Sequence, residues 1–341
     1  MAEDFKAINI VIELFNTVIT AITNSSLSNS TDLTHLATPT YITILMVETI
    51  SDDVIEALTK AKKSESLSVA EIYFHNSSAY LKNLERVLCE FSIWLSANQK
   101  SSLSTLPANV REFLNYLIHL NLPPAKESKN KDFDIHLLNY TNSRPSDQYT
   151  DKILYCFEQL KVELQANRLV LERANDSLTS IEHIKNISIR GRMAIAIECI
   201  SKEVKRLRLQ RTEIDKFIEF FWSFVEQDDL AAWDIRLRSY DELCDIWNNE
   251  NDDQLSKKVA DIPDHIREMC RYTIELGEGE LYGAVLSYSP YTYQCLLDVF
   301  RILTYTGREL VNLSKFQRSL IAENYGWGFY HHRSWFEVSE Q

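Results

Sequence analysis

MAIAIECISKEVKRLRLQRTEIDKFIEFFWSFV, running from Met193 to Val225, carries its apolar residues on two interleaved seven-residue series. Met193, Ile200, Leu207, Ile214 and Phe221 form one series, and Ile197, Val204, Ile218 and Val225 form the other, interrupted by Arg211. Residues three, four and seven apart share a face of an α-helix, so the two series make one apolar stripe. No Pro or Gly interrupts the run. The pattern predicts one continuous helix, roughly 50 Å long at the usual rise per residue.

The preceding segment reads as its partner. Ile153, Phe157, Leu160, Leu164, Leu171, Ala174, Leu178 and Ile181 repeat at the same three-and-four spacing, with Asn167 as the misfit. Between the two runs lies Asn186-Ile187-Ser188-Ile189-Arg190-Gly191-Arg192, whose Gly191 is the first glycine of the chain. A turn there would fold the two stripes against each other as an antiparallel helical hairpin over 148–226. The expectation is an all-α, multi-helical protein, with two helical lobes around that central hairpin.

Composition agrees with the helical reading. Seven glycines and seven prolines in 341 residues are too few for the turns of sandwiches, barrels or glycine-rich cofactor loops. The formal charge of −13 argues against bulk attraction to nucleic acid or to anionic membranes, while leaving room for local basic patches. Six cysteines occur with no CxxC pair, which removes support for zinc ribbons and thioredoxin-type chemistry and suggests buried thiols in a reducing compartment. The N-terminal stretch interrupts its apolar residues with Asn9, Glu13 and Asn16 and does not read as a signal peptide. With no apolar run of spanning length, no membrane association is expected and a cytoplasmic location is.

In chain order, Phe5 to Ile22 predicts a first amphipathic helix, followed by a Ser/Asn/Thr-rich loop. Tyr41–Val47 is apolar and β-branched and reads as buried helix, because no second strand is in sight to pair with it. Ser51-Asp52-Asp53 reads as the N-cap of a further helix, and Ser68-Val69-Ala70-Glu71 as a capping box. Ser289-Pro290 opens a helix that Gly307 closes. Pro123-Pro124 and Asn142-Ser143-Arg144-Pro145 bracket the clearest break in the pattern. The organisation read from these signals is an N-terminal helical lobe over 1–120, a linker over 121–147, the hairpin, and a C-terminal helical region over 227–341 with an aromatic tail.

Two clusters qualify as binding sites. Lys185, Arg190, Arg192, Lys202, Lys205, Arg206, Arg208 and Arg211 are eight cations within 27 residues of an acidic chain. Of these, Arg190, Arg192, Lys202, Lys205, Arg206 and Arg208 are the set that would hold phosphates of a nucleic acid, against the plainer reading of a solvated helix face. The acidic stretch Glu226–Asp253 places Trp233, Tyr240 and Trp247 on one helical face. That arrangement suits anchors for a basic protein partner, against the plainer reading of core aromatics. The terminal block Tyr325–Phe336 mixes aromatics with positive charge, as single-strand binders do, and is read as a tail docked on its own domain or on a neighbouring subunit.

Chemistry-bearing motifs are missing. The pairs Glu71/His75 and Asp132/His136 and the doublet His331-His332 fall short of any metal-binding spacing. No P-loop, dinucleotide fingerprint or nucleophile elbow occurs, so neither cofactor nor metal is expected and catalysis is disfavoured. The sequence therefore points to a non-catalytic interaction protein, an adaptor, inhibitor or assembly subunit. It would bind a protein partner through an acidic helical surface, and homo-oligomerisation is compatible with that reading. The alternative is an RNA- or DNA-binding protein using the Arg190–Arg211 cluster. Two helical lobes around a basic hinge with an aromatic terminus are loosely similar in layout to viral nucleoproteins.

Overall fold

The computed structural model describes residues 6–26, 34–98, 147–209, 212–248, 257–281 and 288–337. Among these residues the fold is all-α, with no strand beyond a single antiparallel bridge between Ile187 and Leu320. The chain divides into two compact units, Met1–Asp176 and Ser177–Gln341. The stretch read as a linker, apart from Asp147, and the Asp132/His136 pair lie outside the described residues.

The first unit holds α1 (Lys6–Ser26), α2 (Thr34–Lys63), α3 (Leu67–Asn98) and α4 (Asp147–Ala174). α2 packs on both α3 and α4, and α1 packs on α4 and α2. Tyr41, Ile42, Ile44, Leu45, Met46 and Val47 are buried on α2, as the helical reading requires. Ser51 does not cap a helix. It lies within α2, and its hydroxyl donates to the Val47 carbonyl one turn back (2.7 Å), the local bond that lets a buried serine sit in a helix interior. Asn167, the misfit in the apolar series, is buried and donates to Asn16 Oδ1 of α1 at 2.7 Å. Such a pair fixes the register of two helices at some cost in stability. Beside it, Arg168 bridges Glu172 (3.0 Å) and the buried Glu48 of α2 (3.4 Å).

In the second unit the principal helices are α5 (Ile189–Leu207), α6 (Thr212–Glu226), α7 (Leu230–Arg238), α8 (Asp241–Asn248), α9 (Asp264–Glu278) and α10 (Pro290–Tyr305). α5 is the central element, packed against α6, α9 and α10. At the start of α10, Ser289 accepts from the Thr292 amide (3.1 Å) and Pro290 occupies the first turn. Gly307 follows the helix at φ +72°, so both ends lie where the sequence put them.

Two parts of the expected hairpin are corrected. The run 193–225 is not one helix. α5 ends at Arg208, which takes the left-handed conformation (φ 53°, ψ 38°). Its amide donates to the Lys205 carbonyl and that of Leu209 to the Val204 carbonyl, both at 3.1 Å. This is the Schellman closure, usually built on glycine. Each of the two stripes is covered within its own unit. That of α4 is covered by α1 and α2, and that of α5 by α6, α9 and α10. Gly191 makes no turn. It lies in the first turn of α5, where a Cβ would collide with Ile187 Cγ2 and come within 2.9 Å of Ser319 Cβ.

Candidate functional site

The beginning of α5 decides what the basic cluster is. Ser188 caps the helix by accepting from the Gly191 amide (3.2 Å), and its hydroxyl meets Ser319 Oγ at 2.7 Å. From this first turn Arg190 and Arg192 point inward and are only 2% and 1% exposed. Arg192 donates to the Ser289 carbonyl (2.7 Å), Thr292 Oγ1 (2.8 Å), the Lys185 carbonyl (3.0 Å) and the Ile184 carbonyl (3.4 Å). The rings of Tyr288 and Tyr293 lie 5.2 and 5.6 Å from its guanidinium carbon. Burial pulls its pKa down to about 10, so it stays a cation at neutral pH. It ties the turn before α5 to the start of α10.

Arg190 donates to the Phe224 carbonyl and, at 3.4 Å, to that of Val225. These are the last carbonyls of α6, the end of a helix that favours a cation. Burial pulls this guanidinium down to about 10 as well, with Asp228 opposing the shift. Both arginines are therefore interior fasteners, and the expectation that they contact phosphates is corrected. A cavity of about 290 Å³ adjoins Arg190, walled by Asp228, Leu230, Ala231, Leu281, Asn324 and Trp327. Asn324 and Tyr325 beside it both hold positive φ, at 45° and 56°.

The other four cations lie toward the C-terminal end of α5. Lys202 donates to the carbonyls of Glu309 and Leu310, both at 3.2 Å. Arg206 forms a two-pronged pair with the buried Glu203 (2.5 and 2.7 Å), which His265 also meets at 3.1 Å. That pairing, chiefly the Arg206 hydrogen bond, holds Glu203 below the usual carboxylate range despite its burial. Lys205 and Arg208 are exposed. Cations in a last turn offset the negative end of the helix dipole, an ordinary placement.

The aromatic anchors are mostly core. Trp233 is fully buried, stacked on Phe220 (5.2 Å) and edge-on to Phe224 (5.0 Å), with its indole N–H donating to the Phe220 carbonyl (3.3 Å). Tyr240 sets its ring edge-on to Phe217 and Phe220 at 5.6 and 5.7 Å. Trp247 lies under the Arg238 guanidinium at 5.8 Å. The three do not share a helical face, because Ser239 ends α7 and Tyr240 precedes α8. The terminal block docks on its own unit. The Trp327 carbonyl accepts from the Arg190 amide (3.1 Å), Arg333 pairs with Glu219 (2.6 Å) and Glu226 (3.2 Å), and Phe336 is buried near Trp222 and Phe316. Among the described residues no group of three or more His, Cys, Asp or Glu is placed to hold a metal ion, and no described helix is long and apolar enough to cross a membrane.

What the sequence reading passed over is the outer face of α4. Ile153, Phe157, Leu160, Leu164 and Leu171 are buried on one side. On the opposite side Tyr155, Val162 and Leu169 stand 61%, 57% and 48% exposed, seven residues apart. Gln159, Ala166 and Arg173 interleave with them, giving the alternating four-and-three spacing of a heptad seam. Asp151, Glu158 and Glu163 are exposed along its flanks. The seam was present in the sequence as a second seven-residue series on the same helix.

No protein-family profile matches the chain, and no solved structure matches it. A curated protein described as the DVA-1 polyprotein of Dictyocaulus viviparus is 23% identical over 257 residues, a match covering 69% of this chain and 16% of that protein. The chain is thus similar to a segment of that polyprotein and matches well under two thirds of its length.

Proposed function

We propose that this chain works by binding protein, through helix-on-helix contact along the outer face of α4. The observation that carries this reading is the exposed series Tyr155, Val162 and Leu169 on a helix whose other face is already satisfied. Single exposed apolar side chains are ordinary, but a contiguous row at heptad spacing is the surface of a helix awaiting another helix. The flanking Asp151, Glu158 and Glu163 keep the surface acidic, as the composition suggested, at a different place from the Trp-bearing stretch. The function asks for no catalytic group.

The test compares the wild-type chain with a variant carrying Tyr155→Ser, Val162→Ser and Leu169→Ser. Both are immobilised in the native extract of the source cells, and the retained proteins are identified by mass spectrometry. The variant is expected to unfold at the wild-type temperature and to lose a defined set of retained proteins, or retained copies of the chain itself. An unchanged set on a folded variant would contradict the reading.

A further inference from the structure

The seam has a property that a surface built for an unrelated partner has no need of: it is complementary to itself. When two identical helices lie antiparallel about a two-fold axis through Val162, positions equidistant from Val162 stand opposite each other. Tyr155 then faces the partner's Leu169, Val162 faces its own copy, and the small Ala166 faces the partner's Glu158. The charges at the two ends of the seam follow the same rule: Asp151 meets the partner's Arg173. In a parallel pairing in register each charge would meet its like, Asp151 on Asp151 and Arg173 on Arg173, which is repulsive. Sliding the antiparallel pair so that Val162 meets the partner's Leu169 would place Tyr155 opposite the partner's Asp176. The register centred on Val162 aligns the three apolar residues and the Asp151/Arg173 pair together.

Resting on the protein-binding reading, we propose that the occupant of this seam is a second copy of the chain, paired antiparallel along α4 with Val162 at the two-fold axis. The seven-residue spacing sets the crossing. A strict heptad drifts on a straight helix, so the two copies wrap with a shallow left-handed crossing of about 20°. From Asp151 to Arg173 the seam runs about 33 Å. A single helix pair of that length buries less than a standard stable interface. The dimer is therefore weak, with a dissociation constant on the order of 10–100 µM. In the monomer Asp151 pairs with Lys62. It is an exposed ion pair of the kind that contributes little, so the Asp151 side chain is able to turn to the partner.

The test uses the full chain in three linked measurements. Sedimentation equilibrium from about 1 to about 300 µM is expected to show the mass rising from 39.7 kDa toward twice that value. Arg173→Asp is expected to weaken the association about tenfold, and adding Asp151→Arg to restore most of it. Val162→Cys, in a Cys156→Ser background that removes the neighbouring thiol, is expected to form a symmetric disulfide dimer on oxidation. A chain that stays monomeric, and in which the thiol introduced by Val162→Cys reacts at the rate of an open surface thiol, overturns self-pairing and leaves the seam to a different protein. A monomer in which that introduced thiol is shielded overturns self-pairing and the protein-binding reading together. A dimer that forms equally well with Arg173→Asp, and that Val162→Cys fails to lock, overturns the seam as its interface.

Discussion

Helices α4 and α5 carry equally regular apolar stripes and break the rule of apolar inside, charged outside in opposite directions. α5 is enclosed by α6, α9 and α10 and takes two arginines into the interior with it. α4 is covered on one face by α1 and α2 and presents a second apolar row on the other. The buried cations survive because backbone carbonyls at turns and helix ends converge on them, those of Ile184, Lys185, Ser289, Phe224 and Val225. Among the described residues no comparable satisfaction is at hand for the exposed row on α4, and nothing in the packing of α1 and α2 on that helix calls for it. A feature that folding explains is structure; one that it leaves unexplained points to a partner.

Breaking α5 should give the largest effect. Arg192→Met removes four hydrogen bonds and a large buried side chain at once, and is expected to destabilise the second unit by about 3–5 kcal/mol. Five of the six tryptophans, Trp222, Trp233, Trp247, Trp327 and Trp335, lie in that unit. Urea unfolding followed by tryptophan fluorescence therefore reports on it. A loss below about 1 kcal/mol would mean that Arg192 is dispensable to the interior and would return it to the list of binding residues.

On α4 the inner face carries the counterpart. Asn16→Leu strands the buried Asn167 amide, with an expected cost of about 1–3 kcal/mol. Adding Asn167→Leu is expected to recover most of it, since an apolar side chain of similar size then replaces the buried polar one. Hydrogen exchange at the α1 and α4 amides is the measure.

A smaller effect is set by pH. On α2, burial and then repulsion from Glu56 and Asp52 push the half-buried Asp53 carboxyl up to about 7. A carboxyl whose folded pKa lies above its unfolded value stabilises the fold while protonated. Its contribution is full in acid and is lost as pH rises through about 7. The first unit should therefore lose on the order of 1 kcal/mol between about pH 6 and pH 8, and Asp53→Asn should flatten that slope in thermal unfolding. The smallest change is a gain: Arg208→Gly removes a left-handed non-glycine residue and is expected to stabilise the second unit by about 0.5–1 kcal/mol, read as a rise in its urea midpoint.

These same residues show where the sequence was legible. The apolar periods of 153–171 and 193–207 located two helices, and Ser289-Pro290 with Gly307 located both ends of a third, because such signals are local. Arg208 ends a helix without the glycine that usually marks the place, so the break in 193–225 showed only as Arg211 interrupting the apolar series. The inward turn of Arg190 and Arg192 depends on carbonyls that come from α6 and from the residue before α10, far along the chain. Composition registered only a cluster of charge. Trp233, Tyr240 and Trp247 looked aligned because one helix was assumed across Ser239, where the chain uses two. The outer seam of α4 was readable all along. It was missed because one stripe per helix is the habit of globular proteins, and the inner stripe had already been found.

The central claim, that the outer row of α4 belongs to a partner and not to the core, is tested most directly by two substitutions on that helix. Val162→Asp and Leu164→Asp place the same charge two residues apart, one on the exposed row and one on the buried face. Thermal unfolding at sub-micromolar concentration, where association is absent, is expected to leave Val162→Asp at the wild-type midpoint. Leu164→Asp is expected to lose more than about 4 kcal/mol. Equal damage from both would contradict the account and make Tyr155, Val162 and Leu169 part of the core.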